Sequence, residues 1–250
     1  FTAPRFDQKA FNTLMDRMNT VYANKESDPN SIFSRKLTLL VNDDNQRSDL
    51  LSLSNLKKVK LERMQAIYNE LVPGAQNYTV YIVGNIDPAQ LRPLVCQYLA
   101  ALPKGDKRTW KDDGMRYPDH AVSSTFSQKM ETPKKSVAVV YAAPAKYTLE
   151  NMIHIAAIEH VLGLRNTEEI REKEGGTYGV SERGILSNLP IAFARMIMFF
   201  DTDPEKADAL IPKVADIFDA LAQDVKEEDV LKAKLHFQKA HAEDIRRNEY

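Results

Sequence analysis

The sequence predicts an α+β protein made of two related sheet-plus-helix-layer repeat domains, of which the first is incomplete. Long segments place apolar residues at helical spacing, and shorter runs rich in β-branched and aromatic residues, such as residues 78–83, are typical of strands. Two strand-like runs lead into the same dipeptide, Asp87-Pro88 and Asp203-Pro204. Because Asp caps a helix and Pro suits its first position, each pair predicts a strand followed by a helix. The repeated entry indicates internal repetition.

Residues 1–103 are predicted to be the end of one repeat domain. The apolar spacing predicts three helices, over residues 5–24, after Asp28-Pro29, and over residues 56–71. A strand over residues 78–83 and a helix that stops near Pro103 follow. A single strand does not make a sheet domain, so we expect the front of this domain to be missing.

Residues 104–119 are predicted to be a linker, because the stretch is polar, contains glycine and proline, and includes Trp110, the sole tryptophan. Residues 120–250 are predicted to form the second repeat domain. The expected strands cover residues 125–130, 136–142, 177–186 and 191–200, and the expected helices cover residues 148–164, 204–221 and 227 to the end.

The composition is that of an ordinary globular protein. The chain has 250 residues, 43% of them hydrophobic and 28% charged, with a formal net charge of −1. This near-neutral charge gives no reason to expect nucleic acid as a partner, and no apolar run approaches the roughly 20 residues of a membrane span. Cys96 is the only cysteine, and its apolar helical setting predicts a buried, unreactive thiol.

Residues 164–180 carry the strongest functional signal. Arg171 and Tyr178 lie seven positions apart, with the pair Gly175-Gly176 between them and an apolar run after them. Thr167 is expected to cap a helix that the two glycines end, so that the chain turns sharply into a strand. Such a turn could aim both side chains into one cleft, where they could hold a carbonyl oxygen. The alternative is that Arg171 lies on a solvated helix face and Tyr178 in a core.

This segment resembles the Arg-Glu-Lys, Gly, Tyr signature in the carboxy-terminal half of insulinase/pitrilysin-type zinc metallopeptidases, the inverted zincins. The segment Tyr78-Thr-Val-Tyr-Ile-Val-Gly-Asn-Ile-Asp-Pro88 is similar to the strand, glycine and Asp-Pro sequence that closes each repeated domain of that family. The resemblance covers most of the chain and favours the functional interpretation of Arg171 and Tyr178.

No zinc site is expected within this chain. The inverted motif is His-x-x-Glu-His, because two imidazoles at i and i+4 share a helix face. The nearest approach has Glu159-His160 but Ala156 in place of the first histidine, and His154 lies six positions before His160, about 240° around a helix. His236 is five positions from the next histidine and is also off one face.

The resemblance implies a role for each residue of the signature. Arg171 would hold a backbone carbonyl of a peptide substrate, and Tyr178 would donate its hydroxyl to the tetrahedral intermediate. Gly175 and Gly176 would allow the turn that brings both to the cleft. The zinc ion, its histidine ligands and the general base would lie in the zinc-bearing half of the same protein or in a partner subunit, so the chain alone is expected to be inactive.

Two other functions remain open at the level of sequence. The chain could be a non-catalytic scaffold or assembly subunit of the same fold. The presence or absence of His-x-x-Glu-His upstream in the gene would distinguish this role from that of a peptidase half. It could also be an α+β interaction domain unrelated to proteolysis, although two matching segments argue against that.

Overall fold

The computed structural model describes residues 3–50, 52–72, 74–173 and 179–247. These residues form two compact units. The first comprises residues 1–32 and 49–112, and the second comprises residues 33–48 and 113–250. The predicted repeat boundaries, with a linker over residues 104–119, stay a prediction.

The first unit is helical. Its helices are α1 (Gln8–Ser27), α2 (Pro29–Leu40), α3 (Leu53–Leu56), α4 (Leu61–Leu71) and α5 (Pro88–Leu94). The second part of α2 belongs to the second unit. A π-helical turn, Val95–Leu99, follows directly after α5. The starts follow from local chemistry. The side chain of Asp7 accepts a hydrogen bond from the Ala10 amide at 2.8 Å, and Asp87 accepts one from the Ala89 amide at 2.8 Å, with Pro88 in the first turn.

The predicted strand over residues 78–83 is wrong. These residues have no ladder partner in the parts of the chain that the structure describes, where the three strands all belong to one sheet in the second unit. Tyr81 and Val83 are 85% and 84% exposed. β-propensity alone does not make a strand, because the backbone groups need a neighbouring strand.

Two further expectations need correction. Residues 125–130 form no strand. Cys96 is exposed rather than buried. Its helix carries apolar residues at helical spacing, but exposed Leu94 and Tyr98 show that this face is uncovered among the described residues.

The second unit contains an antiparallel sheet of three strands in the order β1-β3-β2. The strands are β1 (Lys135–Pro144), β2 (Ser181–Ser187) and β3 (Phe193–Thr202). Pairing runs from Lys135 opposite Thr202 to Pro144 opposite Phe193 on one side of β3, and from Ser181 opposite Phe199 to Ser187 opposite Phe193 on the other. β3 is therefore the strand to which both of the others bind.

Three helices accompany the sheet: α6 (Leu149–Asn166), α7 (Pro204–Gln223) and α8 (Glu227–Asp244). Alternate residues of β3 are buried, and they pack in one core with apolar residues of these helices. The buried core members are Val137, Val161, Leu162, Ile170, Met196, Met198, Phe200, Leu210, Val214, Leu221 and Ala233. Helices packed with an antiparallel sheet confirm the predicted α+β class.

α6 packs very closely against β2 at Gly184. A Cβ atom added there would lie 2.9 Å from Cγ1 of Ile155 and 3.0 Å from its carbonyl oxygen. The closeness lets the Gly184 amide donate a hydrogen bond of 2.7 Å to the Glu159 carboxylate. Only glycine fits this position without displacing α6.

We expect Gly184→Ala to lower the free energy of unfolding by about 1–3 kcal/mol, because the added methyl group must push α6 away from the sheet. Urea unfolding of the purified chain measures this. The matched control is Gly179→Ala, where an added Cβ would meet no atom of the described residues within 4 Å. Equal stability of the two variants would show that the packing of α6 against β2 does not require glycine at position 184.

Candidate functional site

The segment that carries the predicted site continues directly from α6. A π-helical stretch, Thr167–Lys173, follows the last α-helical residue. The prediction that Thr167 is a helix N-cap is wrong. Thr167 is the C-cap residue of α6, it has helical dihedral angles (φ −61°, ψ −48°), and its hydroxyl donates to the carbonyl oxygen of Gly163 at 2.8 Å. The preceding eighteen residues already form a helix, so no new helix begins there. Fully buried Ile170 anchors the stretch in the core.

The predicted site residues fall only partly within the described structure. The backbone of Arg171 belongs to the π-helical stretch. Its side chain, like Gly175, Gly176 and Tyr178, lies outside the described residues. The description resumes at Gly179, just before β2, so the arrangement of Arg171 and Tyr178 stays a prediction.

A cavity of about 450 Å³ lies next to this segment, between α6, the start of β2 and α8. Its lining residues are Ala156, Glu159, His160, Gly163, Leu164, Thr167, Glu182, His236 and Phe237. Thr167 stands four positions before Arg171, about one helical turn. The cavity thus lies about one helical turn from the backbone of Arg171.

Two carboxylates stand in the cavity wall. Glu159 accepts the hydrogen bond from the Gly184 amide, and Glu182 accepts one of 2.7 Å from the side-chain amide of Asn166. Burial raises the pKa of Glu182, and the charge of Glu159 adds to the increase, although the Asn166 hydrogen bond opposes it. The wall therefore contains the Glu159 carboxylate, which is held by a backbone amide, and the Glu182 carboxyl group, which holds its proton more strongly than usual.

Two histidines from different helices stack in the same wall. The rings of His160 on α6 and His236 on α8 are 4.1 Å apart between centroids and inclined by 16°. Burial lowers the pKa of His160, and the charge that His236 can carry lowers it further. The sequence gives no signal of this contact, because the two residues are 76 positions apart and meet only when α6 and α8 pack.

These side chains do not form a metal site. Nearly parallel rings do not point their nitrogen lone pairs at a common centre. Among the side chains of residues 3–170 and 179–247, apart from the undescribed positions 51 and 73, no group of three or more His, Cys, Asp or Glu residues could hold a metal ion. The site offers hydrogen-bonding and proton-holding groups beside the predicted substrate segment.

The model of the Peptidase M16 inactive domain matches residues 58–236. The chain belongs to this family. The match includes the whole Arg171–Tyr178 segment and confirms the predicted relation to zinc metallopeptidases of the insulinase/pitrilysin type. The chain corresponds to the inactive carboxy-terminal part of that family's architecture.

The chain is also similar to individual proteins and solved structures. A protein of Arabidopsis thaliana described as "Zinc protease PQQL-like" is 23% identical over 241 residues, which are 90% of this chain and 25% of the relative. The periplasmic protease PqqL from Escherichia coli superposes with a TM-score of 0.83 at 17% identity, covering 97% of this chain and 27% of PqqL. A mutant of the ferredoxin protease FusC, in complex with Arabidopsis ferredoxin, gives a TM-score of 0.76 at 18% identity, with 96% and 26% covered.

The chain therefore spans about a quarter of the length of these relatives. None of the helices in the described parts of this chain combines the length and the apolar character needed to cross a membrane.

We expect the chain to lose stability as the pH falls from about 7.5 to about 5.5, because the unfolded state binds a proton at His160 more readily than the folded state does. The raised pKa of Glu182 acts in the opposite direction, since the folded state takes up that proton at a higher pH than the unfolded state does, but this contribution is the same in the wild type and in His160→Gln. Urea unfolding at several pH values should therefore show a smaller loss for His160→Gln than for the wild type.

The matched control is His154→Gln, which removes an exposed histidine of the same helix outside the cavity. It should keep the wild-type pH dependence. An unchanged pH dependence in His160→Gln would contradict the electrostatic account of the stacked pair.

Proposed function

We propose that this chain is the non-zinc half of a zinc-dependent metallopeptidase and that it closes over a peptide substrate. The observation that carries the proposal is the family match, which includes the Arg171 and Tyr178 segment. The position of that segment supports it. Arg171 follows one helical turn after Thr167, which lines the cavity beside α6.

In this proposal Arg171 holds a backbone carbonyl of the substrate and Tyr178 donates its hydroxyl to the oxygen of the tetrahedral intermediate. One well-placed donor of this kind is worth about 2.7–4 kcal/mol in the transition state. Gly175 and Gly176 provide the backbone freedom for the turn between the two. The helical stretch before them is anchored in the core by Ile170, and Val180, just before β2, packs against the same core.

The zinc ion is proposed to lie outside this chain, with its histidine ligands and the general base. The Arabidopsis relative is described as a zinc protease, and this chain covers a quarter of it. Ala156 stands where the inverted zincin motif has its first histidine. The partner is then the zinc-bearing half of the same protein or a separate subunit.

The substrate class is proposed to be a peptide or an extended protein segment, and not nucleic acid. The solved complex of FusC contains a protein, ferredoxin. When the two halves close over such a segment, the carbonyl contacts from this chain would be completed and water would be excluded.

A second function is favoured by the family description itself, which calls the domain inactive. The chain could serve as a scaffold or assembly subunit without contributing to turnover. The two functions differ in whether Arg171 and Tyr178 affect catalysis, which the variants described below measure.

We expect the purified chain by itself to bind no stoichiometric zinc and to hydrolyse no peptide, since its histidines do not present a tetrahedral ligand set. Metal analysis after dialysis, together with a fluorogenic peptide assay, checks both points. One zinc ion per chain that disappears in His160→Ala would overturn the proposed division between the two halves.

In the full-length enzyme, Tyr178→Phe should lower kcat about 10²- to 10³-fold, because it removes a donor needed in the transition state. Tyr147→Phe, at an exposed tyrosine outside the proposed site, is the matched control. Bound zinc should stay at the wild-type level in both variants. Wild-type kcat in Tyr178→Phe would favour the scaffold function.

Arg171→Ala should raise KM, lower kcat, or both, because it removes a carbonyl contact that exists before and during the reaction. Arg183→Ala, at an exposed arginine on β2, is its control and should leave both constants unchanged. If Arg171→Ala alters only the stability of the chain, its side chain has a structural role and not the proposed one.

A further inference from the structure

A second cavity in the same unit lies over the opposite face of β3. Its volume is about 340 Å³. Its walls come from the end of α2, residues 115–117, residues 189–191 and β3. The lining residues are Leu37, Thr38, Val41, Asn42, Met115, Arg116, Tyr117, Leu189, Pro190, Ile191, Phe193, Arg195 and Ile197. Since side chains alternate along a strand, Phe193, Arg195 and Ile197 point away from the core that Met196 and Met198 enter.

Arg195 is the unusual member of this wall. Its Nε atom is buried and has no hydrogen-bond partner among the residues that the structure describes. Its cross-strand neighbours, Ala142 on β1 and Ile185 on β2, are apolar. The cavity lining contains two arginines and no Asp or Glu. The positive charge of the guanidinium is therefore partly buried, and the cavity wall contains no carboxylate to pair with it.

Tyr117 accounts for only part of the surroundings of Arg195. The guanidinium carbon is 5.5 Å from the centroid of the Tyr117 ring, which itself packs edge-on against Phe193 at 4.6 Å. Burial raises the pKa of Tyr117, and the positive charge of Arg195 opposes the increase. An aromatic ring satisfies one face of a guanidinium but supplies no acceptor for its N–H groups.

A buried polar group without a partner is costly, and a charged one more so. A cavity with mostly apolar walls that keeps such a group suits a ligand that supplies the missing anion. The planar guanidinium fork matches a carboxylate in two parallel hydrogen bonds. The volume lies near the lower end of ligand pockets, which start at about 300 Å³.

We propose that this cavity binds a carboxylate attached to an apolar group. Arg195 pairs with the carboxylate, and the apolar part lies against Leu37, Val41 and Ile197. A small apolar acid and the carboxy-terminal residue of a peptide share this chemistry. The site is on the other face of the sheet from the cavity beside α6, and it does not depend on the proposed peptidase function.

Calorimetric titration of the 250-residue chain with N-acetyl-leucine tests the proposal, with two reference compounds. N-acetyl-leucinamide has the same apolar group without the charge, and acetate has the charge without the apolar group. We expect N-acetyl-leucine to bind at least about tenfold more tightly than either compound, because only it satisfies both the guanidinium and the apolar walls.

Variants assign the binding to Arg195. Arg195→Met keeps an apolar side chain of similar length and should abolish the preference for N-acetyl-leucine over its amide. Its unfolding midpoint should equal or exceed that of the wild type, since an apolar group replaces a partly buried charge, so lost binding cannot be attributed to unfolding. Arg195→Lys should retain weaker binding. Arg183→Met, at an exposed arginine of the adjacent strand, is the control and should bind like the wild type.

A third titration separates the two sources of the carboxylate. N-acetyl-Ala-Ala-Leu should bind more tightly than N-acetyl-leucine if the ligand is a peptide end, and more weakly if it is a small acid that fills the cavity. Three results would overturn the proposal. They are no saturable binding of N-acetyl-leucine or N-acetyl-Ala-Ala-Leu, binding of N-acetyl-leucinamide as tight as that of N-acetyl-leucine, or unchanged binding of N-acetyl-leucine in Arg195→Met.

Discussion

The second unit depends on how closely α6 packs against β2 at Gly184. β2 has β3 on one side only among the described residues, so alternate amide groups of β2 point away from the ladder. The Gly184 amide is satisfied by Glu159, which reaches it because no side chain intervenes. The connection between these two elements is the stretch that contains Arg171 and Tyr178. The contact thus holds together the two described elements on either side of that stretch.

β3 gives the sheet two different faces. One face contributes Met196, Met198 and Phe200 to the core, where apolar burial supplies most of the stabilisation. The other face carries Arg195, whose guanidinium has no carboxylate in the wall around it. A natural sequence tolerates such a cost where the residue has a function, so the contrast between the faces is itself a reason to look for a ligand.

Local signals in the sequence predicted the helices of the chain well. The Asp-Pro pairs mark the starts of α5 and α7, because proline geometry acts within the first turn of each helix. The side chain of Asp87 also caps α5, whereas that of Asp203 makes no capping hydrogen bond. Features that depend on distant residues could not be predicted. Residues 78–83 have strand propensity but no neighbouring strand in the described chain, and the stacking of His160 on His236 exists only because α6 and α8 meet. The family signature identified the Arg171 segment, whereas nothing in the sequence pointed to Arg195.

Amide hydrogen exchange at Gly184, followed by NMR in the purified chain, tests the central claim most directly. If the Glu159 carboxylate holds this outward amide, Gly184 should exchange as slowly as the interior amides of β3, and Glu159→Ala should accelerate its exchange while leaving β1 unchanged. If Gly184 in the wild type exchanges as fast as exposed Asn188 in the loop that follows β2, the Glu159 carboxylate does not hold α6 and β2 together.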